Sequence, residues 1–382
     1  MARKTTKIAE PQKKSLAKAA PKNTALAHEL EQLNNNEPST NVAGTSQPAA
    51  NPKKPVDKAQ PKFKAEKPAG KAKPKAETEK SAGKAKTKAK TEKSADKAKP
   101  KAEQPIKNYA EIKGAHFVQS VAVVGLQHLN QMPPLPCQDA AKAVTRPRSI
   151  LLACDGAGSA AMSEVGSQAL VTGITRLCQS IEPLIASLLD QPTAKQELES
   201  LVRVIVRHAM GLLQDLSEQQ RRSIRDFRST LNFALVGKEQ TLWIKVGDGE
   251  IIQEQLLVTE TAAGQQEYHS ELSCLGDHNK GEFANQTQFI DDQLKFEQVY
   301  WGVIPSVHLS GLALMSDGAA EKLVAQDRSK VAGQISTWLA QLRTDKLKAS
   351  ELCKRFYAED FCKQSTGDDR SIAMWARAIA TE

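Results

Sequence analysis

Short runs rich in Val, Ile, Leu and aromatic residues recur from about residue 117 onward, and most of them end at a Gly or an Asp. Runs of this kind predict β-strands. The predicted strands cover residues 117–125, 149–156, 228–237, 241–249, 250–258, 296–303, 311–318 and 370–377.

Three longer segments repeat apolar residues every three or four positions, which predicts helices. They cover residues 163–189, 201–216 and 331–342, and Ser163 is the expected N-cap of the first. Because the helical segments interrupt a series of strands and do not alternate with them, the order favours an α+β fold of sheets covered by helices over repeated βαβ units.

The first 107 residues show a different pattern, with few large apolar side chains and 26 Lys and Arg against 11 Asp and Glu. Such a segment cannot offset the entropy of ordering, so we expect it to be disordered. TEKSAGKAK at 78–86 recurs as TEKSADKAK at 91–99, and 67–77 is a looser copy. These repeats offer only Ala for packing, which indicates a low-complexity array. We therefore predict a disordered basic tail at 1–107 and a folded domain at 108–382.

One stretch of the tail is an exception, because Leu26, Leu30 and Leu33 lie at helical spacing within 23–35. This pattern allows a short helix or a docking peptide there.

Charge separates the two parts, since the net charge of +9 comes from the tail and the remaining residues hold 27 basic and 33 acidic side chains. A Lys-rich chain can bind nucleic acid by counterion release, or bind an acidic partner. Only Arg3 and Phe63 could stack on bases, so any nucleic-acid binding should be independent of sequence. We favour the simpler interpretation, a solubilising tether or docking arm.

The six cysteines are scattered without the two-residue spacing of a zinc knuckle or a redox dithiol, which is typical of reduced thiols. The N-terminus lacks the apolar run of a secretory signal, and no stretch approaches the roughly 20 apolar residues of a membrane span. The sequence therefore predicts a cytoplasmic protein without a membrane segment.

Candidate metal-binding or catalytic residues are found where predicted strands end. Asp155, Asp248 and Asp317 each begin an Asp-Gly pair after an apolar run, and Asp368 and Asp369 precede the last strand. A single Asp-Gly is more often a hairpin turn. Several carboxylates that converge in one cleft, however, would be hard oxygen ligands for Mg²⁺ or Mn²⁺.

Six short sequence motifs occur in this order along the chain: PCQDA (136–140), ACDGAGSA (153–160), RSTL (228–231), VGDGEI (246–251), MSDGAAE (315–321) and GDDRSIAM (367–374). Together they resemble the protein phosphatase 2C-like family of metal-dependent serine/threonine protein phosphatases, in a mostly bacterial branch. The resemblance implies a four-layer α/β/β/α sandwich of two antiparallel sheets flanked by helices. It also implies a binuclear Mn²⁺ or Mg²⁺ centre at one end, where a bridging water attacks phosphoserine or phosphothreonine.

The resemblance assigns the central catalytic and metal-binding residues one by one. Asp155 corresponds to the carboxylate that bridges both ions, and Gly156 offers its carbonyl to one of them. Asp317 and Asp368 correspond to ligands of the other ion.

Three further ligands are implied around this pair. Asp139 and Gln138 would hold metal-bound water, and Asp248 would help to bind a third, weaker ion. Gln138 stands where the family usually has Glu, which removes one negative charge and should weaken one ion site.

The chain also departs from the family where it handles phosphate. Ala157 replaces a His that follows Asp-Gly in many members, and the upstream phosphate-binding Arg is missing. His128 is a candidate for either role, unless it is structural, and Arg146 or Arg148 could bind phosphate. These departures leave two functions open: a phosphatase that acts on phosphoproteins and opposes a partner Ser/Thr kinase, or a pseudophosphatase that binds phosphoproteins without turnover.

Overall fold

The computed structural model describes residues 107–110, 114–260, 266–276 and 287–379. Ten strands within these residues form two five-stranded sheets in which neighbouring strands pair antiparallel. They are β1 (His116–Val123), β2 (Ala140–Val144), β3 (Ile150–Cys154), β4 (Leu231–Val236), β5 (Gln240–Val246), β6 (Glu250–Glu260), β7 (Gln266–Cys274), β8 (Tyr300–Pro305), β9 (Leu309–Met315) and β10 (Arg370–Arg377).

The strand order is β1-β10-β9-β6-β7 in the first sheet and β2-β3-β4-β5-β8 in the second. Eight α-helices of the described residues accompany these sheets. They are α1 (Leu126–Leu129), α2 (Ser163–Ser180), α3 (Glu182–Leu189), α4 (Lys195–Gln220), α5 (Asp317–Ala320), α6 (Gln334–Arg343), α7 (Ala349–Phe356) and α8 (Glu359–Cys362).

The core consists of three packed interfaces: one between the two sheets, and one between each sheet and the helices that cover it. Along β3, Leu151 and Ala153 pack between the two sheets, whereas Ile150 and Leu152 pack against α2, α3 and α4. This alternation follows from the period of two in a strand. Helices α6, α7 and α8 cover the outer face of the first sheet. The predicted α+β sandwich of two antiparallel sheets flanked by helices is therefore confirmed.

Strand register brings the strand ends that precede the conspicuous aspartates to one end of the sandwich. Met315 at the end of β9 lies opposite Glu250 of β6 and Ile372 of β10. In the second sheet, Cys154 at the end of β3 lies opposite Ala140 of β2. The Asn232 side chain joins the two sheets here by donating to the Met315 carbonyl at 3.0 Å.

Several local predictions were wrong. Segment 163–189 forms two helices that break at Ile181, because Pro183, the second residue of α3, has no N–H with which to continue the hydrogen bonds of α2. Ser163 is the first residue of α2, Met162 holds the cap position, and the Ser163 hydroxyl is buried without a hydrogen-bond partner. Strands β2 and β7 were not predicted.

Other predictions fall on residues that the structure leaves out. The disordered tail at 1–107 and the helix at 23–35 lie almost wholly outside the described residues and stay predictions. All six cysteines are free thiols, as expected. None of the helices in the described part of the chain is long and apolar enough to span a bilayer.

Candidate metal centre

Three carboxylates meet at the end of the sandwich that the strand register defines. Asp155 follows β3, Asp248 lies in the turn between β5 and β6, and Asp317 follows β9. One carboxylate oxygen of each residue lies within 4.8 Å of the others. Because the side chains come from both sheets, the cluster depends on the sandwich and not on any local motif.

Asp155 is held by its own backbone. Its N–H donates to the Thr230 hydroxyl at 2.9 Å, and its carbonyl accepts from the Ser229 hydroxyl and the Thr230 N–H, both at 2.8 Å. Burial raises the pKa of the Asp155 carboxyl well above its usual range, and the charges of Asp139 and Asp317 add to the effect. A cation at this position would reverse that shift.

Asp317 begins α5, where the Gly318 N–H donates to its Oδ1 at 2.6 Å. Burial, followed by repulsion from Asp248, raises its pKa to about 6. A Cβ on Gly318 would lie 2.2 Å from the Asp369 carbonyl oxygen, so glycine allows the two loops to approach closely. The neighbouring Asp368 also raises the pKa of Asp317, although it lies outside the group of three.

Asp248 is the exposed member of the cluster. It follows Gly247, whose φ of 105° lies in the left-handed region that favours glycine. The Thr287 hydroxyl donates to Asp248 Oδ2 at 2.6 Å. A cavity of about 240 Å³ opens beside Asp248 and Asp317 and is also lined by Glu321.

Asp139 is the most buried carboxylate at this end, at 1% exposure. Its Oδ2 has no hydrogen-bond partner. Burial raises its pKa to about 8; the charges of Asp369 and Asp317 add to this shift, and hydrogen bonding with the Ser316 and Ser371 side chains opposes it. A buried carboxylate oxygen without a partner is costly unless it faces a cation, so this group fits a metal site.

Backbone contacts fix Gln138 and Gly156 against each other. The Gln138 carbonyl accepts from the Gly156 N–H at 3.2 Å and from the Ser167 hydroxyl at 2.6 Å. A Cβ on Gly156 would lie 2.7 Å from that carbonyl. Only glycine therefore fits between the two loops that carry Asp139 and Asp155.

Asp369 organises this end of the fold, although its position in the sequence predicts no metal-binding or catalytic role for it. Its carboxylate accepts from the Gly125 N–H at 2.6 Å and the Gln138 N–H at 2.5 Å. Its Oδ1 also lies 3.0 Å from Nδ1 of His128. The adjacent Asp-Asp pair in the sequence was the available signal, but it could not show which aspartate faces the cleft.

His128 therefore has a structural position. Its side chain is 6% exposed and lies against Asp369. We do not carry His128 forward as the phosphate ligand or general acid. Arg146 and Arg148 lie before β3, at the opposite end from Asp155. Arg148 is 8% exposed and donates to Glu182, Asp190 and the Val236 carbonyl, so its donors are occupied.

The donor set decides which chemistry is possible. Carboxylates dominate this end of the sandwich, and burial together with their mutual repulsion raises the pKa of Asp139, Asp155 and Asp317. Hard divalent cations such as Mg²⁺ and Mn²⁺ prefer such oxygen ligands. Burial raises the pKa of the Cys154 thiol, which excludes it as a thiolate nucleophile at neutral pH.

The chain is similar to several solved structures at low sequence identity. Among solved structures, serine/threonine phosphatase Stp1 from Staphylococcus aureus is 14% identical, covering 72% of this chain and 98% of its own, with a TM-score of 0.44. PppA, a regulatory component of T6SS in Pseudomonas aeruginosa, is 15% identical, covering 70% and 99%, with a TM-score of 0.43. The catalytic domain of PstP, in complex with 2 manganese ions, is 15% identical, covering 69% and 100%, with a TM-score of 0.42.

No curated protein sequence matches the chain. Residues 124–353, however, match the family model described as Protein phosphatase 2C. This match spans more than half of the chain and includes all three aspartates of the cluster, Asp155, Asp248 and Asp317, together with Asp139. The chain belongs to the protein phosphatase 2C family, and its enzyme class is protein-serine/threonine phosphatase.

Proposed function

We propose that residues 108–382 form a catalytic domain that hydrolyses phosphoserine and phosphothreonine in proteins with two Mn²⁺ or Mg²⁺ ions. The observation that carries the proposal is the convergence of Asp155, Asp248 and Asp317 within 4.8 Å. The buried, unpartnered Oδ2 of Asp139 supports it, since a cation nearby would offset its charge.

In this proposal Asp155, Gly156, Asp317 and Asp368 hold the two ions, with Asp139 and Gln138 beside them. Asp248 helps to hold a third, weaker ion. Two bound divalent ions would supply the charge that lowers the pKa of a bridging water and neutralises the phosphoryl oxygens.

The protein itself supplies a rigid arrangement of these ligands. Ser229 and Thr230 fix the backbone of Asp155, while Thr287 orients Asp248. Asp369 ties Gly125 to Gln138 and thereby positions the loop that carries Asp139. Ligands held in this way lose little entropy when they bind an ion.

The test is Mn²⁺-dependent hydrolysis of phosphoserine and phosphothreonine peptides by the full chain. We expect Asp155→Asn to abolish the metal-dependent rate. Asp215→Asn is the matched control, because it makes the same chemical change on the exposed face of α4 and should keep the wild-type rate. A folded wild-type protein that shows no Mn²⁺-dependent rate on any phosphopeptide would refute the proposal.

A pseudophosphatase is the second candidate, and Gln138 favours it because an amide in place of a carboxylate removes one charge from the site. Under this alternative the domain binds phosphopeptides without turnover. Isothermal titration with Mn²⁺ separates the two functions, since two tight sites together with turnover support the phosphatase. Phosphopeptide binding without turnover would support the binding module.

The same proposal includes a partner Ser/Thr kinase that supplies the phosphoprotein, and a cytoplasmic location. The basic tail is proposed as a tether or docking arm, and binding to nucleic acid or to an acidic partner is the alternative role. DNA mobility shifts at low and moderate salt test whether the tail binds nucleic acid. The shifts of the full chain are compared with those of a chain that lacks residues 1–107. Equal shifts would remove the nucleic-acid role.

A further inference from the structure

Arg228 lies beside the loop that carries Asp155. The Ala157 N–H donates to the Arg228 carbonyl at 3.1 Å, and Gly156 forms a bridge with Ser229. On the other side, the Ile290 N–H donates to the Ser229 carbonyl at 2.8 Å. Arg228 is therefore fixed between the Asp155 loop and the segment that begins at Thr287.

Thr287 links Arg228 to the carboxylates, because it lines the same cavity as Arg228 and its hydroxyl donates to Asp248 Oδ2 at 2.6 Å. Arg228 is extended, with φ −60° and ψ 143°.

Two contacts hold the guanidinium group in place. Its Nη2 donates to the Ser159 hydroxyl at 2.6 Å, and its carbon lies 5.0 Å from the centre of the Phe289 ring. Its Nε is buried without a hydrogen-bond partner. Arg228 forms no ion pair with a carboxylate of the described residues. A guanidinium that lines a cavity without a carboxylate partner is suited to bind phosphate oxygens in a bidentate manner.

We propose that Arg228 binds the phosphoryl oxygens of the substrate, a role that rests on the proposed phosphatase function. It would supply the cation that the segment ahead of Gln138 lacks. Next to it a cavity of about 900 Å³ is lined by Thr287, Phe289 and Asp291, which leaves room for the residues that flank the phosphorylated side chain.

The experiment compares Arg228→Ala and Arg228→Lys with the wild-type full chain in saturating Mn²⁺. Arg225→Ala is the matched control, because Arg225 is an exposed cation three residues earlier that pairs with Asp292. The readouts are KM and kcat for a phosphothreonine peptide, and the Kd of inorganic phosphate by isothermal titration.

For Arg228→Ala we expect KM and the phosphate Kd to rise between about tenfold and a hundredfold, the usual loss for a hydrogen bond to a charged group. Arg228→Lys should give an intermediate value, because it keeps the charge without the planar fork. Arg225→Ala should stay within about twofold of the wild-type protein.

An unchanged phosphate Kd in Arg228→Ala would overturn the inference. If that variant does not fold, Arg228→Gln replaces it, since the amide can still donate to Ser159. A higher KM for the peptide with an unchanged phosphate Kd would also overturn it, because Arg228 would then contact only the peptide. A wild-type protein that binds phosphate through Arg228 without turnover would refute the proposed hydrolysis and not this assignment.

Discussion

Replacing Asp155 by Asn should have opposite effects on stability with and without metal. In the metal-free protein, Asp155 is buried and is repelled by Asp139 and Asp317, which raises its pKa. Asn keeps the size of the side chain and removes the charge. We therefore expect Asp155→Asn to raise the melting temperature in EDTA and to remove most of the stabilisation by Mn²⁺.

The size of the metal effect follows from linkage. A ligand at a hundred times its Kd stabilises the folded state by about 2.7 kcal/mol. The described part of the chain has roughly 250 residues, for which the entropy of unfolding is about 0.5 kcal/mol/K. Mn²⁺ at that concentration should therefore raise the melting temperature of the wild-type protein by about 5 °C, and that of Asp155→Asn by much less.

Burial of the carboxylates, together with their mutual repulsion, also sets the sign of the pH dependence. In the folded metal-free protein the pKa is about 6 for Asp317 and about 8 for Asp139, against an ordinary value of 3.8. A raised folded pKa stabilises the fold fully below the unfolded pKa, and this contribution is lost as the pH rises through the folded value. We expect the contribution of this site to decline between about pH 4 and pH 8, and Asp155→Asn to flatten that decline.

Differential scanning fluorimetry in EDTA and in a Mn²⁺ series, at pH 5.5 and pH 8, measures both effects. Asp215→Asn controls for the general effect of removing one carboxylate and should follow the wild-type protein. Equal Mn²⁺ shifts in the wild-type protein and in Asp155→Asn would show that the ion binds elsewhere. A metal-free Asp155→Asn that melts below the wild-type protein would refute the repulsion on which the pH prediction depends.

Two predictions concern the scaffold, and urea unfolding measures both. Arg343→Met leaves the fully buried Glu254 without its ion-pair partner and should cost about 3–5 kcal/mol, most of which the double variant with Glu254→Gln should recover. Gly166→Ala should prevent folding, because its Cβ would lie 1.8 Å from the Phe227 carbonyl oxygen. The control Gly211→Ala has open space in α4 and should stabilise by about 0.5–1 kcal/mol; a loss there would contradict the open-space argument.

Apolar pattern was sufficient to find the buried strands. β10 was predicted with its observed bounds, since every residue from Arg370 to Arg377 is buried between neighbours. β7 was missed because QEYHSELSC is polar and largely exposed, and it forms a strand only through its pairing with β6. β2 was missed because AAKAV is short and contains mostly Ala.

For the site, too, the sequence pattern indicated only the residues on or beside buried strands. The pattern of strand-end aspartates indicated Asp155, Asp248 and Asp317, because a carboxylate after a buried strand is visible in the sequence. Arg228 stood within one of the motif blocks, yet its contacts with Ser159 and Phe289 join distant segments. Such contacts depend on how the sheets and loops pack, which spacing along the chain does not encode.

The point at which the chain enters the fold has a practical consequence. Ala110 donates to the Leu256 carbonyl, and Tyr109 bridges to Leu257, seven residues along β6 from Glu250. At about 3.3 Å per residue, this attachment lies roughly 23 Å from the turn that holds Asp248. A purification tag or fluorescent reporter joined ahead of Lys107 would therefore start from the far side of the sandwich and leave the catalytic cleft open.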